Sequence, residues 1–431
     1  MMVRLLLVFS FLLFPCLANA TTINATSCSQ SDVSSAISAA SNGDTVMVPA
    51  GNCSWDTSSV TVPKAIILQG EGVDSTNITL AGGAVSVEAA ATIRAFAFLN
   101  TSGVTLSFSG EGFRFTGNTW TTSDTSHTGQ IYISAYGLVD NNTFEKGAGT
   151  NEMLFIRGPT DSWQTDSSMG GADNVFIENN TFTDSGYPDA NSNARVVFRY
   201  NTITGAIKFD AHGKCTNTPH RSARHYEIYN NEWTVGTVNQ RLMELRGGTG
   251  RVFNNTATTA SQYILIRDYC SLYNTNLCWG YKETDGVDSC GCPSLVPLDD
   301  MIGIGKDPKA RASEPLYLWN NTNFRFGIDS NTPTADCRAY CNETYGDSAT
   351  FVMSDVIVAN IDYFSSATKP EAMVSYTPYT CPHPFAGTGT CDSVTAGISG
   401  YSLSGETPAA GPFAPGSGKR TGGSMSGGSH F

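Results

Sequence analysis

The chain has 431 residues, of which 15% are charged and 40% hydrophobic, with 43 glycines. That apolar share excludes a disordered chain, and the lack of a strict glycine period excludes a collagen. Lys and Arg number 25 against 38 Asp and Glu, a net charge of -13; such a field repels a phosphate backbone, so no nucleic-acid partner is expected.

Residues 1–20 read as an export signal. Arg4 gives a basic start, Leu5 to Leu13 is an unbroken apolar run, and Ala18-Asn19-Ala20 is a small-residue cleavage site. The run is too short to cross a bilayer, and Pro15 before Cys16 is a poor context for lipid attachment. A secreted or cell-surface product beginning near Thr21, with no membrane insertion, is the expectation. Of the 12 cysteines, Cys16 falls in the signal, and the other eleven suit an oxidising compartment. Cys28 and Cys53 bracket the first unit and are expected to pair. The rest crowd between Cys215 and Cys391, as stapled loops would.

Val33, Ala36, Ile37 and Ala40 share one face of a short helix between Ser29 and Ala40. Gly43-Asp44 ends it, and Thr45 to Val48 reads as a strand closed by Pro49-Ala50-Gly51. Short β-rich runs follow: Val60 to Val62, Ala65 to Leu68, Ile78 to Leu80 and Val104 to Phe108. No second helix is expected. A repeat then takes over, in which an Asn turn follows each strand, usually with Thr and an apolar residue after it. Its first asparagines stand at 118, 141, 179, 201, 230 and 254, steps of 23, 38, 22, 29 and 24. A base step of about two dozen residues, lengthened by insertions, is a solenoid period. Stacked asparagines can hydrogen-bond along such a ladder. Trp319-Asn320-Asn321-Thr322 suggests one later coil, and Phe351 to Phe364 a last strand-like run. Residues 21–400 therefore read as one domain, and 401–431 as a Gly/Ser/Pro-rich flexible tail. In that tail Gly416-Ser417-Gly418-Lys419 is not a phosphate loop, because Arg420 stands where a hydroxyl residue must follow.

The stretch Ala36-Ile37 to Ala40, Gly43-Asp44-Thr45-Val46 and Val48-Pro49-Ala50-Gly51, with the Asn ladder, resembles secreted proteins of the pectin-lyase-like superfamily. The resemblance implies an all-β fold: a right-handed parallel β-helix with a short N-terminal capping helix and disulfide-rich C-terminal loops. That fold hosts lyases, hydrolases, epimerases, tailspikes and adhesins, so chemistry must be argued from residues.

Aligned on their turns, the segments 153–158, 208–213, 242–247 and 263–268 place Ile156, Ala211, Leu245 and Ile266 inward by strand alternation. Arg157, His212, Arg246 and Arg267 then form one outward row, with Asp210 and Glu244 in the next. Stacked cations beside stacked carboxylates suit a sugar-acid polymer. Eliminative cleavage needs a cation for the uronate, a base for its C5 proton and an acid for the leaving oxygen. Candidate catalytic residues are His212 as acid or base and Arg246 or Lys214 as base. Asp210 and Glu244 form a candidate clamp for substrate or Ca2+, and Arg157 and Arg267 candidate substrate contacts. The cluster His220-Arg221-Ser222-Ala223-Arg224 resembles the arginine segment before the Asn turn of pectate lyases, which implies a catalytic role for Arg221 and a substrate contact for Arg224; their spacing and proline are absent here. On this reading the protein is a polysaccharide lyase. Its rivals are a non-catalytic surface, filament or glycan-binding rod, which could self-associate, and a glycoside hydrolase, for which paired carboxylates suffice. A zinc reading of His212, Cys215, His220 and His225 matches no fixed spacing. Nine Asn-x-Ser/Thr sequons occur, with Asn141, Asn179 and Asn254 better explained as ladder residues.

Overall fold

The computed structural model describes residues 20–386 apart from 57–58, 102–105, 124–130, 147–151, 159–167, 185, 213–221, 267–277, 281–294, 298–301, 304–313, 329–358, 372 and 374. Its strands fall into three parallel sheets of 12, 9 and 10 strands, called A, B and C here, and one two-stranded pair. The chain visits them in the order A, B, C and then returns to A one coil further on. Phe113–Thr116 lies in A, Thr119–Thr122 in B and Ile131–Ile133 in C; Gly137–Asp140 then pairs beside Phe113–Thr116. This is a parallel β-helix, as the repeat implies.

The capping helix spans Gln30–Ala39, with Ser29 accepting from the Asp32 N–H at its start. Its apolar face, Val33, Ala36 and Ile37, is buried. The Cys28–Cys53 disulfide joins the segment before the helix to the first strand of sheet B. Trp55 closes the same end, donating its indole N–H to the Cys28 carbonyl at 3.0 Å. Among the described residues no helix is long and apolar enough to cross a membrane.

Between sheets A and B each repeated coil turns on two residues with different jobs. The first takes a left-handed backbone: Gly117 (φ 62°), Asn141 (55°), Asn179 (56°), Asn230 (55°), Asn254 (54°) and Asn320 (50°). Glycine and asparagine tolerate that region best. The second is the ladder residue. Asn118, Asn142, Asn180, Asn201, Asn231, Asn255 and Asn321 stack, each side-chain oxygen accepting the backbone and side-chain N–H groups of the asparagine one coil before, wherever that position is an asparagine. The ladder therefore runs through the second asparagine of each pair. Numbering by first asparagines, as the sequence suggests, misplaces Asn201: Tyr200 (φ 56°) holds the left-handed position there and buries its ring outside the coil.

Inward side chains of each strand fill the coil. Phe98, Trp120, Phe144, Phe182, Ile203 and Trp233 occupy one inner row of sheet B, and all are buried. From Gly137–Asp140 to Leu316–Trp319, sheet A is buried on its outer face too. Leu138, Phe176, Val197, Tyr229, Phe253, Tyr317 and Trp319 form a second apolar cluster there, with Met373 and Tyr376 of a C-terminal strap packed on it. Arg199 fixes the strap by donating to the Tyr379 and Thr380 carbonyls while ion-paired to Glu178. Glu178 accepts in turn from the His383 N–H at 3.0 Å. Cys381, inside the strap, is also disulfide-bonded. With sheet A covered, the outer face of sheet C is where charged side chains gather around a partly exposed histidine.

Candidate functional site on sheet C

The expected inward row holds. Ile133, Ile156, Ala190, Ala211, Leu245 and Ile266 are register partners on successive strands, and all are fully buried. The strand Tyr187–Ala190 belongs between Glu152–Ile156 and Phe209–Ala211, a coil that the sequence alignment skips. Pro188 in it reads as a strand breaker. One outward row is therefore Tyr132, Phe155, Asp189, Asp210 and Glu244. In the row beyond, Asn191 separates Arg157 from His212 and Arg246, so the expected run of stacked cations is broken.

Asp210, Glu244 and Arg246 face out of the coil yet are not solvated: Asp210 is 0%, Glu244 5% and Arg246 7% exposed. The reason is mutual neutralisation. Arg246 grips Asp210 with a two-pronged pair at 2.9 and 2.6 Å. Lys208 sets its ammonium between Asp210 and Glu244, at 2.7 and 2.8 Å, and lies 4.6 Å from the centre of the Tyr187 ring. Burial opposes ionisation of Asp210, but Arg246 and Lys208 outweigh it and hold its carboxyl down at about 2. Burial likewise opposes the charge of Arg246, and Asp210, Asp189 and Glu244 overcome it, leaving its pKa raised. Arg246 thus stays a cation, and the role of base proposed for it from sequence is closed.

The clamp expected to hold Ca2+ does not fit that ion. Lys208 occupies the gap between Asp210 and Glu244, and both Asp210 oxygens are committed to cations. Donor atoms of Asp189, Asp210 and His212 lie within 4.8 Å of one another, but Arg246 sits among them, 3.1 Å from His212 Nδ1. Two resident cations already supply the charge a metal would bring.

Glu152, Tyr187 and Asp189 complete the group and were missed in the sequence. Tyr187 donates its hydroxyl to Glu152 at 3.1 Å. Burial, then the charge of Asp189, push the Glu152 carboxyl up to about 7. Glu152 stands at a register irregularity between Glu152 and Leu154, so simple alternation places it on the wrong face. Asp189 is fully buried, and its Oδ1 has no hydrogen-bond acceptance apart from the approach of His212 Nδ1 at 3.3 Å. A buried carboxylate oxygen needs a donor. The His212 ring does not supply it: Arg246, which can only donate, reaches the same Nδ1 at 3.1 Å, so on the neutral ring Nδ1 accepts and Nε2 carries the proton.

Other expected residues fall elsewhere. Arg224, fully buried at the edge of sheet A, pairs with Glu314 at 2.7 Å and is not part of this group. His225 is buried with Nε2 2.7 Å from Asn174 Oδ1, on sheet A rather than beside His212, so it does not join a zinc set. Lys214, Arg221 and Arg267 lie outside the described residues, as do Cys215 and His220. Comparison with protein-family models and with curated proteins finds no match. The parallel β-helix is compatible with carbohydrate-active and with surface proteins, and the site's chemistry must choose.

Proposed function

We propose that this protein is an exported polysaccharide-cleaving enzyme, acting from the outer face of sheet C on an acidic glycan by β-elimination. One observation carries the reading: Glu152, a carboxyl that burial and Asp189 push up to about 7, shares a face with the partly exposed imidazole of His212, whose Nδ1 is held by Arg246. Groups whose environments push acid and base apart are what proton transfer requires. In this scheme Glu152, ionised and steadied by Tyr187, removes the C5 proton, and His212 passes its Nε2 proton to the leaving oxygen. Arg246 and Lys208 keep Asp210 and Glu244 ionised and brace the imidazole. Support for export is the Cys28–Cys53 disulfide and the apolar N-terminal run.

Hydrolysis is the second reading, because Asp189 is the charge that most raises Glu152 and the two could serve as base and acid. A screen of acidic polysaccharides separates the possibilities. Elimination gives an ultraviolet-absorbing unsaturated end with wild-type protein, lost in His212→Ala and Glu152→Gln. New reducing ends without that absorbance would mean hydrolysis. No cleavage of any substrate would leave the rod.

A further inference from the structure

On the outer face of sheet C, Arg157 has no anionic partner among the described residues. Lys208 and Arg246 are each tied to carboxylates. Arg157 instead lies over two aromatic rings, its guanidinium carbon 5.4 Å from the centre of Tyr132 and 5.0 Å from that of Phe155. The rings themselves stack at 5.7 Å, 21° apart. Arg157 Nε is buried with no hydrogen-bond partner. All three residues are half-buried. A guanidinium seated over two rings is confined by them and keeps its terminal N–H groups for a planar two-oxygen anion.

The place of this cation matters. Tyr132 and Phe155 share the outward row of Asp189, Asp210 and Glu244. Arg157 precedes His212 in its row by two strands, with Asn191 between. Two strand spacings amount to about 10 Å along the helix axis, room for two sugar units of an extended polymer. Aromatic rings offer a pyranose the flat apolar surface that its C–H face requires.

We infer that Tyr132, Phe155 and Arg157 form a distal subsite that reads the carboxylate of one sugar acid two units from the bond cleaved at His212. The polymer then lies across the strands, and the subsite fixes its direction and register. This inference rests on the proposed site for its choice of a glycan, but not on catalysis for its test.

The test is calorimetric titration of the full-length protein carrying His212→Ala, which prevents turnover, with tetrameric oligouronides of galacturonic, mannuronic and guluronic acid and with their carboxyl-reduced counterparts. At least one acidic tetramer should bind, and more tightly than its reduced form. Adding Arg157→Gln should weaken that tetramer about tenfold or more while leaving the reduced form unchanged. Arg157→Met, which keeps the stem over the rings, should do the same and covers a Gln variant that fails to fold. Tyr132→Ala should weaken both ligands. Acidic binding that survives the loss of Arg157, or binding of no acidic tetramer, overturns the inference. Arg157-dependent binding without cleavage by the wild-type chain would leave the subsite standing and remove the proposed catalysis; cleavage indifferent to Arg157→Gln would do the reverse.

Discussion

Glu152 is where proton chemistry and stability meet. Its folded pKa, about 7, lies above the ordinary Glu value of 4.5, so the native state keeps a proton that the unfolded chain releases. Stability is undiminished below the ordinary range, declines as pH rises toward about 7, and then levels, a loss of up to about 3 kcal/mol. Glu152→Gln should flatten this dependence, melting higher than wild type near pH 8 and equally near pH 4. With Glu152 as the base, wild-type turnover should rise as pH rises through about 7. Arg246 poses the opposite case. From sequence it reads as an outward-facing residue, but it neutralises Asp210, which has no exposed surface. Arg246→Ala should cost about 3–5 kcal/mol by leaving a buried carboxylate under-compensated, measured by urea unfolding at neutral pH. Activity lost in that variant would say little about catalysis.

At the scale of the element, the Asn turn divides its labour between neighbours of identical chemistry. Asn180 accepts from Asn142 twice and donates to the Val139 and Glu178 carbonyls and to Asn201. Asn180→Ala strands these buried groups and should cost about 2–4 kcal/mol. Asn179 contributes a backbone conformation, φ 56°. Asn179→Gly should therefore stay within about 0.5 kcal/mol of wild type, and Asn179→Ala should lose about 1 kcal/mol. Chemical denaturation of the three variants tests the division; equal losses at both positions would contradict it.

For the whole molecule, the C-terminal strap decides which face is available. Tyr376, Tyr379 and His383 cover Phe176, Tyr229 and Phe253, and buried Glu227 accepts from the Tyr376 hydroxyl. Ending the chain at Ser366 would expose this apolar stripe and take the Tyr376 hydroxyl from buried Glu227, which keeps the Gly170 N–H. Such a truncation should bind hydrophobic dye, aggregate and lose its cooperative melt. Removing only 401–431, a stretch rich in Gly, Ser and Pro with few large apolar residues, should move the melting temperature by less than about 2 °C.

Much of the architecture was legible because it is periodic. A strand's alternation and a solenoid's repeat are local properties, so the capping helix, the inward row through Ile156, Ala211 and Leu245, the coil at Trp319-Asn320-Asn321 and the Cys28–Cys53 pair could be read from neighbours in sequence. The site was legible only in part. Asp210, Glu244, His212 and Arg246 share a parity and were found; Glu152 and Asp189 were hidden by a register irregularity and by a proline-bearing strand. Which cation neutralises which carboxylate is set across strands, by distances of a few ångström between residues tens of positions apart. Lys208 filling the supposed metal clamp, Arg246 locked as a cation and the strap sealing sheet A were therefore decided by tertiary structure alone, because Coulomb energy and burial depend on spatial neighbours and not on spacing along the chain.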